Sequence, residues 1–323
     1  IVLGVGTSHS PSLSMGPEWW ERHGTYFDPK LERIDDFAER CANAPAWLRA
    51  ELDPAVFGRK HDACDAAIQK LGDALRASRA DVVVVVGDDQ KEMFTAEELP
   101  ALALFAGDRL VDLPDPNVSN LPPSIQAAQW ALHGAEPTEW PASKELGAHL
   151  ARALTQSDFD VFALARHPVD RTLGHAFTFV NRRLFKGGPA PAMVPIFLNT
   201  YYPPTQMRAQ RCWALGVAIR RAIDAWDSDA RVAVIGSGGL SHFILDPDLD
   251  HRVLEALRTY DGAAIAAIPE TTFQSGTSEI KNWIVAGAAL EGFAMRVVDY
   301  VPAYRTGAAT GIGLAFALWE KAA

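Results

Sequence analysis

The strongest pattern in the chain is an unbroken β-branched run, Asp81-Val-Val-Val-Val-Val-Gly87. A continuous apolar run of that length predicts a strand buried on both faces. It follows a stretch, residues 59–79, whose apolar positions Cys64, Ile68, Leu71 and Leu75 recur at helical spacing and predict an amphipathic helix. The alternation then repeats. Helices are predicted over 143–155, 176–184, 205–226, 249–268 and 278–290, and strands over 160–164, 193–198, 231–235 and 294–298, before a closing helix. The first residues, Ile1 to Gly6, read as an opening strand. Alternating strands and helices predict an α/β fold with a mostly parallel central sheet, covered by helices on both faces in a single domain over 1–323. Residues 12–58 break the pattern. They hold Trp19, Trp20, Tyr26, Phe27 and Trp47, too aromatic for a disordered linker, and are expected to pack over one face as an active-site-covering insertion.

Composition narrows the function classes. The chain has 323 residues, 48% of them hydrophobic, enough for a substantial core. A net charge of −10 argues against nucleic acid or an anionic membrane as partner. No apolar run approaches the ~20 residues of a membrane helix. The start lacks the basic and small-residue features of a secretory leader, and the three cysteines, Cys41, Cys64 and Cys212, are scattered. A cytoplasmic protein is therefore expected. A homodimer is the default expectation for its assembly.

In open α/β sheets ligands bind beyond the carboxyl ends of strands. Three predicted strands here end in polar clusters: Thr7-Ser8-His9-Ser10-Pro11, Asp88-Asp89-Gln90-Lys91-Glu92 and Gly236-Ser-Gly-Gly-Leu-Ser-His242. Each residue also has a plain structural role available. His9 alone reads as a hydrogen-bonded loop residue, and Glu279, after Thr277-Ser278, as charge compensation in a first helical turn. The glycines at 236–239 lack the full spacing of a nucleotide fingerprint. His133, His149 and His251 lack any partner pattern and read as structural or surface residues, while His23 and His167 stay undecided. His61 falls on the inward face of the 59–79 helix and points toward the same rim.

Taken together and in order, these segments resemble the class III extradiol ring-cleavage dioxygenases, of the type of the catalytic subunit of protocatechuate 4,5-dioxygenase. The resemblance rests on the His9 segment, Gly174-His175-Ala176, Asn199-Thr-Tyr-Tyr-Pro-Pro204, the Gly236–His242 segment and Gly276-Thr-Ser-Glu279-Ile-Lys-Asn-Trp283. It implies a non-haem iron(II) centre, with manganese(II) as the alternative metal, held by His9 and Glu279. It also implies His242 as catalytic acid/base, His175 as a catalytic residue contacting diol or oxygen, and a small aromatic diol with O2 as reactants. Two neutral donors and one carboxylate leave open positions for a chelating diol and for oxygen.

The chain departs from the family where the second strand ends. The second histidine ligand is replaced there by Gln90, within Asp88-Asp89-Gln90. Gln90 through its amide oxygen, His61 from the preceding helix, or Asp89 or Glu92 are the candidate replacements. A similar Gly-Asp-Asp-Gln segment in methylgallate-dioxygenase-like members points to gallate or methylgallate-class substrates. Tyr201, Tyr202, Arg305 and Thr306 are the candidate substrate-binding residues, from their turn positions. The competing functions are a metal-dependent hydrolase or lyase on the same rim and a non-catalytic binding protein that has lost its second ligand.

Overall fold

The valine run does form a central strand. In chain order the strands of the computed structural model, which describes residues 1–186 and 188–321, are β1 (Leu3–Thr7), β2 (Val82–Gly87), β3 (Leu102–Phe105), β4 (Arg109–Asp112), β5 (Thr138–Pro141), β6 (Phe162–Leu164), β7 (Ala192–Leu198), β8 (Val232–Ser237), β9 (His242–Ile244), β10 (Phe293–Tyr304) and β11 (Thr310–Lys321). The large sheet runs β10-β11-β1-β8-β2-β7-β3-β6, with β9 pairing β11, while β4 and β5 form a separate hairpin. Its centre, β1-β8-β2-β7, is parallel, and antiparallel pairs flank it where β11 meets β1 and β3 meets β7. The mostly parallel sheet expected from the alternation is thus present, with an antiparallel hairpin added at one edge.

Both faces of the centre are covered. Val82, Val84 and Val86 pack with Leu146, Leu150, Leu215, Ile219 and Trp283 from helices Lys144–Gln156, Ala209–Asp224 and Ile280–Ala288. Val83 and Val85 point the other way, into Ile68, Leu71, Leu132 and Phe177 from helices Pro54–Ser78, Pro123–Leu132 and His175–Phe179. Period-two side-chain alternation on a strand sends successive valines into two cores, which is why every position is apolar. Each buried valine contributes roughly 1.5–3 kcal/mol relative to exposure.

Several expected elements change. Residues 310–321 form β11 where a closing helix was expected. Their Ala- and Leu-rich composition suits a helix, but pairing to β1 on one side and β10 on the other decides the outcome. Helix 249–268 divides into Pro247–Arg258 and Gly262–Ala266 around Tyr260, whose φ is +54°. The unassigned stretch 93–142 contains β3, β4, helix Pro123–Leu132 and β5. These are short or only half-alternating pieces with little periodic signal.

The 12–58 segment is helical: Trp20–Leu31, Phe37–Ala42 and Ala46–Glu51 follow two 3-10 turns. Its first helix is anchored by two buried contacts. Trp20 is fully enclosed and its Nε1–H donates to the Ser12 carbonyl at 3.0 Å. Arg305, just past β10, donates to Asp28 Oδ1 at 2.8 Å and to Ser12 Oγ at 3.1 Å, with both charged side chains buried. Breaking one side of a buried pair leaves an uncompensated charge. Asp28→Ala is expected to cost about 3–5 kcal/mol, read as a lower urea midpoint, and the added change Arg305→Met should recover most of it. A loss below about 1 kcal/mol, the level of an exposed pair, would mean that the latch contributes nothing.

Candidate active site and metal centre

The register of the parallel strands brings the polar clusters to one rim. Thr7 lies opposite Ser237 and Val86 opposite Gly236, so His9, Asp88 and the 238–242 loop leave the sheet at the same level. Glu279 joins them from the 3-10 turn Ser275–Glu279 that leads into helix Ile280–Ala288. A ligand nitrogen of His9 and carboxylate oxygens of Asp88 and Glu279 lie within 4.8 Å of one another, all three residues buried. Donors sharing an ion about 2.1 Å away stand at most about 4.2 Å apart, so this set is close to binding distance. Among the described residues it is the only such group of His, Cys, Asp and Glu.

Local bonds fix how each donor presents itself. Ser237 Oγ gives its proton to the Ala176 carbonyl at 2.6 Å, so it accepts from His9 Nδ1–H at 3.1 Å. That tautomer leaves the His9 Nε2 lone pair facing Glu279, 3.5 Å away. Burial lowers the His9 pKa to about 4, which keeps the ring neutral. For Glu279, burial alone would raise the carboxyl. His242, His9 and the Gly239 N–H, which donates at 2.7 Å, outweigh it and hold the group well below its usual range. Asp88 is in the opposite position: burial and then the charge of Glu279 push its carboxyl up. Its oxygens accept from Asn282 Nδ2 at 2.9 Å and Gln90 Nε2 at 2.6 Å. Two facing buried carboxylates with one neutral imidazole are a donor set that suits a divalent cation.

The other expected residues divide. Gln90 reaches the cavity, but its amide oxygen accepts from Tyr202 O–H at 2.8 Å while its NH2 holds Asp88. Asp89 is turned away as a cap, its carboxylate accepting from the backbone N–H groups of Lys91, Glu92, Met93 and Phe94. His61 is not brought to the site. Its ring lies beside Trp20 and lines a separate cavity of about 540 Å³ with Leu13, Asp65 and Arg183, because the 11–20 segment covers that face of the helix. This cavity is the larger of the two but holds none of the clustered donors.

His242 and His175 do line the site cavity, whose volume is about 340 Å³, within the usual range for small-molecule sites. His242 Nδ1–H donates to the Leu240 carbonyl at 2.8 Å, which directs Nε2 to Glu279 Oε1 at 3.3 Å. Burial opposes its protonated form, but Glu279 wins and the pKa is raised. Gly276 makes room for this ring, since a Cβ there would stand 2.1 Å from His242 Cδ2. His175 meets the His9 ring edge-on at 4.9 Å. Its Nδ1 bonds Glu92 at 2.8 Å, and this charge outweighs burial to push the His175 pKa up to about 9.

Tyr201 and Arg305 also line the cavity, whereas Tyr202 acts behind Gln90, and Thr306 is a buried turn residue bonded to Thr310 Oγ1 at 2.7 Å. From the covering helix the cavity receives His23, Phe27 and Leu31. Of the other aromatics in that helix and the turn before it, Trp20 is in the core, and Trp19 and Tyr26 line an outer groove. Sequence reasoning missed Asp88 as a donor, although an acidic residue directly after a buried strand is a usable signal. It also missed Ser237 and Asn282, whose roles need the fold.

No helix among the described residues is long and apolar enough to cross a membrane. A 2,3-dihydroxyphenylpropionate/2,3-dihydroxicinnamic acid 1,2-dioxygenase of Mycobacterium ulcerans is 38% identical over 98 residues, 30% of this chain and 29% of that protein. Gallate dioxygenase of Pseudomonas putida is 30% identical over 118 residues, 35% of this chain and 33% of that protein. The chain thus aligns with about a third of the length of these curated relatives. A solved structure of an uncharacterized Escherichia coli K12 protein aligns over 79% of this chain and 91% of that one, at 14% identity and a TM-score of 0.45. Residues 53–314 match the family model described as the catalytic LigB subunit of aromatic ring-opening dioxygenase. His9 precedes that span, and its place in the site rests on geometry. With most of its length matched, the chain belongs to the LigB family of aromatic ring-opening dioxygenase catalytic subunits.

Proposed function

We propose that this protein is a non-haem iron(II) extradiol dioxygenase, or a manganese(II) one, that opens the ring of a catechol-type aromatic with O2, in the protocatechuate, gallate and methylgallate class. The observation that carries the reading is the convergence of His9, Asp88 and Glu279 in a LigB-family chain, beside a cavity that His9 and Glu279 line. His9 Nε2 and the carboxylates of Glu279 and Asp88 would hold the metal. Asp88 thereby takes the place that Gln90 or His61 was expected to fill, and Gln90 orients Asp88 instead. The bound metal would supply a Lewis-acidic centre for the two diol oxygens and electrons for O2.

The chain's own groups supply the rest. His242 lines the cavity with Nδ1 committed to Leu240 and Nε2 beside Glu279, so Nε2, once the Glu279 charge is taken up by a metal, is free to take the proton of a diol hydroxyl and later return it. His175 has Nδ1 committed to Glu92, which leaves Nε2 to donate to a diol or dioxygen oxygen. Phe27, Ile125 and Ile312 provide apolar walls that suit an aromatic ring. Tyr201 and Arg305 are the polar groups on that wall.

Anaerobic loading with iron(II) followed by a panel of catechols is expected to give oxygen uptake and a yellow ring-opened product. Absence of uptake with every diol would defeat the proposal, and equal turnover under argon would establish a hydrolase or lyase instead. His242→Ala is expected to keep its metal and lose about 10²–10⁴ in kcat.

The ligand assignment has its own measurement. Asp88→Asn and Glu279→Gln should each lower iron per chain in purified, refilled protein, whereas Gln90→Ala should lower it less. If Gln90→Ala empties the site and Asp88→Asn does not, the glutamine is the ligand.

A further inference from the structure

Behind His175 lies a chain of charged groups that the reaction outlined above does not use. The Glu92 carboxylate accepts from both the backbone N–H of His175, at 3.1 Å, and its Nδ1, at 2.8 Å. The same carboxylate bonds His133 Nε2 at 3.0 Å. His133 Nδ1 in turn bonds Asp112 Oδ1 at 2.9 Å, and Asp112 is tied to Arg182 and accepts from Thr172 Oγ1 at 3.2 Å. Positive and negative partners alternate over five residues drawn from four separate segments of the chain. Asp112 has no exposed side-chain area, and the His133 side chain is only 10% exposed.

A buried chain of this kind is a poor way to add stability, because desolvation consumes most of the Coulombic gain and apolar residues could fill the same space. What it does provide is orientation. Both Glu92 oxygens grip the first residue of helix His175–Phe179, through main chain and ring at once. Gly174 leaves space for that grip, since a Cβ there would stand 3.0 Å from Glu92 Oε2. Glu92 cannot drift, because His133 also holds its Oε1 and Asp112 with Arg182 holds His133.

We infer that Glu92 is a positioning residue that fixes the His175 ring with Nε2 toward the cavity, and that His133 and Asp112 form the brace that keeps Glu92 in place. The inference rests on the dioxygenase reading for its effect on turnover but not for its geometry. A group that must meet a reacting atom loses on the order of 10²-fold in rate when displaced by about 1 Å.

The test is a double-mutant cycle on the metal-loaded enzyme with a diol that the wild type turns over. Glu92→Ala is expected to lower kcat about 100-fold with KM and metal content unchanged. In a His175→Ala background it should cost nothing further, because there is no ring left to place. Glu92→Gln should fall between, since an amide oxygen in the Oε1 position can still accept from both His175 Nδ1 and His133 Nε2 but carries no charge. If Glu92→Ala lowers kcat by the same factor in both backgrounds, or not at all, the inference is overturned. Should the alanine variant fail to fold, the glutamine variant is carried through the same cycle: a loss confined to the His175 background supports the inference, and an equal loss in both, or none, overturns it. If the wild type turns over no diol, the function proposed above fails, and crystal structures then decide the brace. A His175 ring that leaves its place in Glu92→Gln or His133→Asn supports it, and a ring that stays overturns it.

Discussion

Asp88 and Glu279 lie buried within 4.8 Å of each other beside His9, and much of the local architecture answers that repulsion. A buried carboxylate is costly unless it is paired or hydrogen-bonded, and two that share a site cost more. The protein sets fixed dipoles against the problem: Asn282 and Gln90 donate to Asp88, and the Gly239 N–H donates to Glu279. Glu279 also has His242 within 3.3 Å, and so remains ionised, while for Asp88 burial and the charge of Glu279 outweigh the charge of His175 and push the carboxyl up. A one-histidine, two-carboxylate set balances the charge of a divalent ion, which is the simplest way to relieve what the dipoles leave.

This constraint explains why the donors stand on the sheet. Parallel strands packed on both sides hold their ends rigidly, and His9, Asp88 and the 238–242 loop inherit that rigidity from β1, β2 and β8. The helix Ile280–Ala288 does the same for Glu279, because Trp283 is enclosed in the core and its Nε1–H donates to the Gly238 carbonyl at 2.7 Å. Precision of this order is what a site needs if its charges are to face one another without collapsing.

The parts of this arrangement that are legible in the sequence are those with a one-dimensional signature. The valine run announces its strand through periodicity, and His9, His242 and Glu279 stand out because each lies a fixed step beyond a strand or at a helix start. Their grouping comes from motif order, not from any distance that can be read off the chain. Asp88 yields to Gln90 in a sequence reading because the choice depends on which way an amide turns, and that is set by Tyr202, more than a hundred positions away. His61 looks inward on the helix period, yet the period says nothing of the 11–20 segment that comes between. The β10–β11 hairpin escapes in part because pairing partners, not local propensity, decide whether Ala- and Leu-rich residues extend or coil.

The sequence is least informative where periodicity fails. The stretch 93–142 has short strands and weak periodicity, and it carries Asp112 and His133, which reach His175 only through Glu92. A residue that acts through another has no motif of its own, because any element that delivers a donor at the right height will serve. Its only signature is three-dimensional: a buried charge whose partners lead, one hydrogen bond at a time, to a group at the cavity wall. Stability does not require such a chain, since apolar packing would give as much at less desolvation cost. Its persistence in the core is therefore better explained by what stands at its end, a ring that must keep one nitrogen aimed at a ligand.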